Sequence, residues 1–310
     1  MDIILQCPAG LATGGTEGIH NLAYHLNKVG AYARILYVGK ADNPQPKEYK
    51  MYGIDYITEF PKDFRGMVIF PEVWGNKVIE PEYANCKVAI NWQGVDVYSW
   101  HVAEKDRGLF LRRSDTVHIA NSDYAMDYLT KIGLKPVKIA DCINDDFFYL
   151  PIDDTNRREL VCYNPVGAKL TRFQETVMAR CTTEYGIKFR PIEGLSRQEV
   201  INVFRHSKLY IDFGVFSGRE RLPREAVLCG CCILTSRKGT AGYFNDNPIL
   251  EKYKLEDVTE AMQMIKYVLK NYKQCKTDFD LYRDLLKREK EHYTEDVRAL
   301  YEVFYNTPKP

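Results

Sequence analysis

In the first half of the chain, short and nearly unbroken apolar runs alternate with stretches of helical period. The runs are IIL at 3–5, ARILYV at 33–38, DYITEF at 55–60, MVIFPEVW at 67–74, KVAINW at 87–92, TVHIA at 116–120 and VKIADCI at 137–143. Continuous apolarity, rather than strict alternation, is the mark of strands covered on both faces. After the first run, Ile19, Leu22, Ala23, Leu26 and Val29 fall at i, i+3, i+4, i+7 and i+10, one face of a helix. Gly30 is placed to end it. A repeated strand-then-helix order predicts a parallel sheet with crossover helices.

The rhythm breaks at 145–154, where DDFFYLPIDD carries acidic pairs and a proline, and then restarts. Strands are expected at 159–167, 187–194, 208–215 and 231–236, with helices opening at Thr171, Ser196 and Pro223. Thr171 with Gln174, and Ser196 with Glu199, have the spacing of a capping box. Pro223 suits the first turn of a helix. From 257 to 306 the pattern is mainly helical, with stripes at Ala261, Met262, Ile265, Val268 and Leu269, at Leu281, Leu285 and Leu286, and at Val297, Leu300, Tyr301 and Phe304. Two α/β domains are therefore expected, 1–148 and 149–310. The last C-terminal helix is free in sequence to pack back on the first domain.

Composition narrows the function classes. Lys plus Arg is 43 and Asp plus Glu is 42, a formal charge of +1, so no long-range field favours nucleic acid or an anionic membrane. Nine cysteines, an odd number with several inside apolar runs, read as reduced core residues of a reducing compartment. The N-terminus lacks the basic region of a signal peptide, and no run reaches the roughly 18 apolar residues of a membrane helix. A soluble cytoplasmic protein is expected, with peripheral membrane contact left open; oligomeric state is silent.

Four segments carry chemistry. Thr13-Gly14-Gly15-Thr16-Glu17-Gly18 follows the first strand, where glycines let backbone N–H groups approach an anion at a helix start. It is a poor dinucleotide fingerprint, because Thr13 stands where GxGxxG needs glycine. Asn164-Pro165-Val166-Gly167-Ala168-Lys169 repeats the strand–turn–helix plan in the second half, with Lys169 beside the helix start as a diphosphate contact or a plain surface lysine. The stretch 212–226 crowds Arg219, Glu220, Arg221, Arg224 and Glu225 between a buried strand and an apolar helix. Arginine suits bidentate phosphate recognition, and Glu225 in a first helical turn could accept two ribose hydroxyls. Finally, Trp92, Asp96, Tyr98 and His101 follow the run at 87–92. Aromatic faces suit sugar rings, so Trp92 and Tyr98 are candidate acceptor contacts, and Asp96 or His101 could serve as base or acceptor ligand. Buried packing is the competing reading of the aromatics. His118, inside a strand, reads as a core or cleft histidine.

These segments resemble GT-B-type glycosyltransferases, in particular glycosyltransferase family four and related capsule or lipopolysaccharide enzymes. GGTEGIHNLAYHLNKVG at 14–30 is similar to the glycine-loop helix of the acceptor domain, and IANSDYAMDYLTKIGL at 119–134 to a segment near that domain's end. NPVGAK at 164–169 resembles the start of the donor domain, and RERLPREAVLCGCCILTS at 219–236 its "GLP-x-x-E-A-x-x-x-G-x-P-V" block. The resemblance implies two Rossmann-like parallel-sheet domains facing a central cleft, with a helical C-terminal tail. It implies a nucleoside-diphosphate sugar as donor in the second domain and a glycan, lipid-linked or other acceptor in the first. Carried over by position, Gly14, Gly15, Lys169, Arg219, Arg221, Arg224 and Glu225 bind the donor, and Glu225 is the ribose-binding glutamate. The family pairs that glutamate with one eight positions earlier, where this chain has Ser217; Glu220 is close but differently spaced. Retention or inversion of the anomeric centre therefore stays open.

No metal or other cofactor is expected. A GT-B donor site would neutralise the leaving diphosphate with lysine, arginine and helix N-termini. The one DxD, Asp278-Phe279-Asp280, lies in the helical tail and reads as a helix cap. Alternatives on the same fold are a nucleotide-sugar epimerase-like enzyme and a non-catalytic binding protein. A nicotinamide oxidoreductase is a more distant one.

Overall fold

The computed structural model describes residues 1–148, 151–166 and 170–307. The chain separates into two compact units: unit 1, Met1–Cys142 with Ser217–Arg219 and Glu291–Pro310, and unit 2, Ile143–Phe216 with Glu220–Lys290.

Unit 1 is built on a seven-stranded sheet: β1 (Asp2–Pro8), β2 (Tyr32–Val38), β3 (Tyr56–Ile57), β4 (Met67–Pro71), β5 (Lys87–Trp92), β6 (Val117–Ala120) and β7 (Val137–Lys138). All pairs are parallel, in the order β3-β2-β1-β4-β5-β6-β7. The unbroken apolar runs follow from this arrangement. Successive side chains of a strand point to opposite faces, and both faces are covered. Met67, Ile69 and Ala89 enter one core, with Ile19, Leu22 and Leu26 of α1 (Gly14–Lys28). Val68, Phe70, Val88, Ile90 and Trp92 enter the other, with Val95 and Tyr98 of α2 (Val95–His101) and Ala125 and Leu129 of α3 (Asp123–Lys131). The runs at 55–60 and 137–143 hold only two paired residues each, in the edge strands β3 and β7.

Unit 2 has a four-stranded parallel sheet, β8 (Arg158–Tyr163), β9 (Lys188–Pro191), β10 (Ser207–Asp212) and β11 (Cys232–Thr235), ordered β11-β10-β8-β9. Its crossover helices are α4 (Arg172–Tyr185), α5 (Arg197–His206) and α6 (Arg221–Leu228). Thr171 and Ser196 are N-caps as expected, and Ser196 with Glu199 closes a full capping box. Gln174 does not reach back to Thr171; its Oε1 accepts the Phe213 N–H at 2.9 Å. α6 starts two residues before Pro223. That proline takes the third helical position, one of the first four whose N–H has no intrahelical partner.

The tail forms α7 (Val258–Lys270), α8 (Tyr272–Thr277) and α9 (Asp280–Asn306). Residues 291–306 of α9 belong to unit 1, where Tyr293, Val297, Leu300 and Phe304 join the core beside α1. Lys87, buried at the start of β5, donates to the Phe304 and Tyr305 carbonyls at 2.9 and 3.0 Å, capping the helix end. Met1, through its terminal amine, donates to Tyr301 Oη at 2.9 Å. All nine cysteines are buried and unbridged. Among the described residues no helix is long and apolar enough to cross a membrane.

Candidate functional site

Open parallel sheets bind ligands outside the carboxyl ends of the strands, where the strand order reverses. In unit 1 that crevice lies between β1 and β4, and in unit 2 between β8 and β10. The glycine turn follows β1 and the 212–226 stretch follows β10, whereas the Trp92–His101 segment begins at the end of β5, one strand further out.

In unit 1, Gly14 and Gly15 are the first two residues of α1, capped by Thr13. Thr13 N donates to Thr16 Oγ1 at 2.9 Å, and Thr16 N to Thr13 Oγ1 at 3.4 Å. The turn is clamped from outside by Tyr49, in the 3-10 turn Lys47–Tyr52. Its hydroxyl meets Thr16 Oγ1 at 2.8 Å, donates to the Thr13 carbonyl at 2.9 Å and accepts Thr13 N–H at 3.1 Å. His20 stacks on Tyr49 at 4.2 Å between ring centroids, with Nε2 2.7 Å from Tyr37 Oη. Burial lowers the His20 pKa, against the pull of the Thr16 carbonyl and Glu17.

Inside the turn lies the Gln93 amide. A Cβ placed on Gly15 would meet Gln93 Oε1 at 3.0 Å, and one on Gly18 would meet Nε2 at 2.7 Å. These glycines thus make room for a glutamine side chain. Glu72, the first residue after β4, is 5% exposed and its Oε2 accepts the Gln93 N–H at 3.3 Å. Burial pushes its pKa up to about 7, although backbone N–H donors pull the other way.

The aromatic segment divides. Trp92 is fully buried: its ring packs on Tyr98, Phe110 and His118, and Nε1 donates to His118 Nδ1 at 3.1 Å. Tyr98 is buried too, its hydroxyl donating to Asn76 Oδ1 and accepting the Gly108 N–H. The expectation that Trp92 and Tyr98 offer faces to an acceptor sugar is corrected: packing takes up both rings. Trp100, 52% exposed on the same helix, is the accessible aromatic. His118 is a satisfied core histidine, its pKa lowered to about 4 by burial. Asp96 accepts from Tyr124 Oη at 3.1 Å in the first turn of α2. His101 ends that helix, exposed, with Nδ1 donating to the Val97 carbonyl at 2.9 Å. Five residues apart at about 100° per residue, Asp96 and His101 point about 140° apart and do not converge.

In unit 2, α6 holds Arg221, Arg224 and Glu225, all buried, with Arg224 1% exposed. Arg221 Nε stands 3.7 Å from Glu225 Oε1, and Arg224 Nε donates to the Glu220 carbonyl at 3.1 Å. Because α6 begins at Arg221, Glu225 is its fifth residue and lies in the second turn, one turn later than expected. Glu220 is the helix's N-cap residue, half-buried, and its side chain makes no capping bond. Arg219 is buried and counts with unit 1. Asp212, at the end of β10, accepts the Gly214 N–H at 3.1 Å, and Ser236 Oγ donates to the Gly214 carbonyl at 2.9 Å. The loop between β10 and α6 is thus fixed from three sides, with Gln174. Lys169 lies outside the described residues.

Asp278 of the DxD accepts from Tyr253 Oη at 2.6 Å and Lys252 Nζ at 2.7 Å, and Asp280 pairs with Arg283. Among the described residues no group of three or more His, Cys, Asp or Glu side chains could hold a metal ion.

Sequence reasoning missed Glu72, Tyr49, Gln93 and Gln174 as parts of these crevices. Glu72 alone left a trace, as an acid directly after the fully apolar MVIFP.

No protein-family model matches the sequence, and no curated protein matches it. Solved structures do. The chain is similar to Anabaena HepE in complex with UDP and glucose, with a TM-score of 0.76 at 11% identity over 99% of this chain and all of that one. Sucrose-phosphate synthase from Thermosynechococcus elongatus gives 0.72 at 12% identity, covering 99% and 100%. An E. coli trehalose-6-phosphate structure bound with UDP-2-fluoro glucose gives 0.67 at 8%, covering both chains fully. These structural neighbours are GT-B glycosyltransferases. The class defined is the GT-B fold, two Rossmann-like halves followed by C-terminal helices.

Proposed function

We propose that this chain transfers a glycosyl residue from a nucleoside-diphosphate sugar to a glycan, lipid-linked or other hydroxyl acceptor, in the synthesis of a surface polysaccharide or glycoconjugate. The observation that carries the reading is the buried cluster of Arg221, Arg224 and Glu225 at the start of α6, on the strand-end side of the unit 2 sheet. Buried charges persist where they are paired or recruited for binding. As the bond to the anomeric carbon breaks, the departing diphosphate gains negative charge. Arg221, Arg224 and Lys169 take up that charge in unit 2, and Glu225 receives the ribose hydroxyls. Fixed donors supply this stabilisation without reorganising during the reaction. Unit 1 receives the acceptor, with Asp96 and His101 as candidate proton acceptors; in unit 2 Glu220 is a further candidate. The reaction needs no metal in this reading. The neighbours bound to UDP, UDP-glucose or a fluorinated analogue favour a uridine nucleotide as the first donor to try.

The test is a thermal-shift screen of nucleoside diphosphates and their sugars, followed by nucleotide release with and without sugar acceptors. Ligand at 100 times its Kd adds about 2.7 kcal/mol of stability, a visible shift. Failure of every nucleotide to stabilise the protein would sink the reading. Epimerised donor without an acceptor would point to the epimerase. Binding without turnover would point to the non-catalytic protein, which Ser217 in place of the family's first glutamate favours. Turnover lost on chelation and restored by Mn²⁺ or Mg²⁺ would overturn the metal-free mechanism.

A further inference from the structure

The corner between β5 and α2 is held from two directions. Glu72 accepts the Gln93 N–H at 3.3 Å and also receives the Gly94 N–H. Asn121 Nδ2 donates to the Gln93 carbonyl at 3.0 Å. Gly94 opens α2 without a side-chain cap, and its own N–H is one of those that the Glu72 carboxyl, just after β4, accepts. The corner in turn presents the Gln93 amide to Gly15 and Gly18, close enough that a methyl group on either glycine would press on it. A carboxyl more than nine-tenths buried is thus linked to the glycine turn through one intermediate residue.

We propose that Glu72 is a positioning residue of the unit 1 crevice, holding the 93–94 corner so that the Gln93 amide and the first turn of α1 form one prearranged polar surface for the substrate. This rests on the transferase reading for what the surface is for, but not for how it is built. The amide offers both a donor and an acceptor, which suits a substrate hydroxyl. Glu72 has a side chain that can change state near neutral pH. Burial favours its neutral form and the backbone donors its charged form, leaving the pKa at about 7. The bordering elements carry Glu17, which accepts from Tyr52, Asp96, which accepts from Tyr124, and Asp141 beside Gly18. None of them is among the influences on Glu72. Ionised, the carboxyl accepts both N–H groups strongly. Protonated, it offers a weaker acceptor, and the corner loosens.

The experiment follows the backbone amides of Gln93, Gly94, Gly15 and Gly18 by NMR on the full chain across pH 5 to 8.5, in the native protein, Glu72→Gln and Glu72→Ala. The proposal expects all four amides to titrate with one midpoint above the ordinary carboxylate range, and that titration to vanish in Glu72→Gln. It expects Glu72→Ala to lose about 10-fold or more of the exchange protection at Gln93 and Gly94. In transfer assays, Glu72→Ala should raise the acceptor KM about 10-fold while the nucleotide Kd holds within about twofold, and the pH profile of kcat/KM should lose its inflection in Glu72→Gln. Glycine amides that stay still while Gln93 and Gly94 titrate would overturn the coupling, as would an unchanged KM in Glu72→Ala. If the native protein turns over no nucleotide sugar, the transferase reading falls, and the amide titrations still decide whether Glu72 controls the glycine turn.

Discussion

Unit 1 buries an acid and a base whose contributions to stability run in opposite directions with pH. In the folded chain Glu72 has its pKa raised from 4.5 to about 7, and His118 has its pKa lowered from 6.5 to about 4, both by burial. Each displacement is about 2.5 units, or about 3 kcal/mol at 1.36 kcal/mol per unit. For Glu72 the folded state holds its proton more tightly than the unfolded chain, so its contribution is full below pH 4.5 and is lost as pH rises to about 7. For His118 the folded state resists protonation, so its contribution is full above pH 6.5 and is lost as pH falls to about 4. In the native chain the two slopes oppose each other across the shared window, and His20, also lowered, adds to the acid-side loss. Glu72→Gln removes one slope: relative to native, its stability should fall by about 3 kcal/mol between pH 7 and pH 4.5. His118→Asn, whose amide oxygen can still accept the Trp92 N–H, should gain by a similar amount over the same interval. Urea unfolding followed by tryptophan fluorescence reads this directly, because Trp74, Trp92 and Trp100 all lie in unit 1. Parallel stability curves for native and Glu72→Gln protein would refute the reasoning.

Three further outcomes are expected. Lys87→Met keeps the apolar stem but leaves the Phe304 and Tyr305 carbonyls without their charged donor, so unit 1 should lose about 2–4 kcal/mol in the same urea assay; a loss below about 0.5 kcal/mol would show that water replaces the ammonium at no cost. Glu225→Gln should reduce kcat/KM for the nucleotide sugar about 100-fold, or about 2.7 kcal/mol, while the melting temperature stays near native; a turnover defect matched by a large fall in melting temperature would make Glu225 structural. Tyr49→Phe keeps the ring on His20 and removes the hydroxyl from Thr13 and Thr16; it should cost about 1–2 kcal/mol and speed hydrogen exchange at 14–16, and unchanged exchange there would deny the clamp.

Much of the fold was legible because central parallel strands bury both faces, and only apolar residues satisfy that demand continuously. β1, β4, β5, β8 and β10 all sit inside the expected runs or overlap them closely. The edge strands β3 and β7 were overdrawn: DYITEF carries aromatic and β-branched residues, yet none of 55–60 is buried, and only Tyr56 and Ile57 pair. The 3-10 turns Lys47–Tyr52 and Glu72–Ile79 left no periodic signal, being too short to repeat. The glycine turn and the charged 219–225 segment stood out because glycines and arginines are costly where they have no task. Trp92 misled because an aromatic next to a turn reads the same whether it faces solvent or core. Glu72, Gln93 and Tyr49 were invisible for a topological reason. The sheet places β4 beside β1 across some sixty residues of chain, and single-residue chemistry cannot announce a neighbour that distant.

α9 divides its residues between the units, 280–290 with unit 2 and 291–306 with unit 1. During synthesis, then, the first-made unit is the last one able to finish. After Cys142 emerges, roughly 150 residues must be translated before Val297, Leu300 and Phe304 arrive, about 8–30 s at 5–20 residues per second. Through that interval the part of the unit 1 core that Tyr293, Val297, Leu300 and Phe304 complete waits uncovered on the nascent chain, including His25 of α1, which meets Tyr293 and Thr294, while unit 2 can complete itself. A ribosome stalled anywhere between 143 and 290 should therefore hold a binding target for holdase chaperones, and release of residues 291–306 should end it.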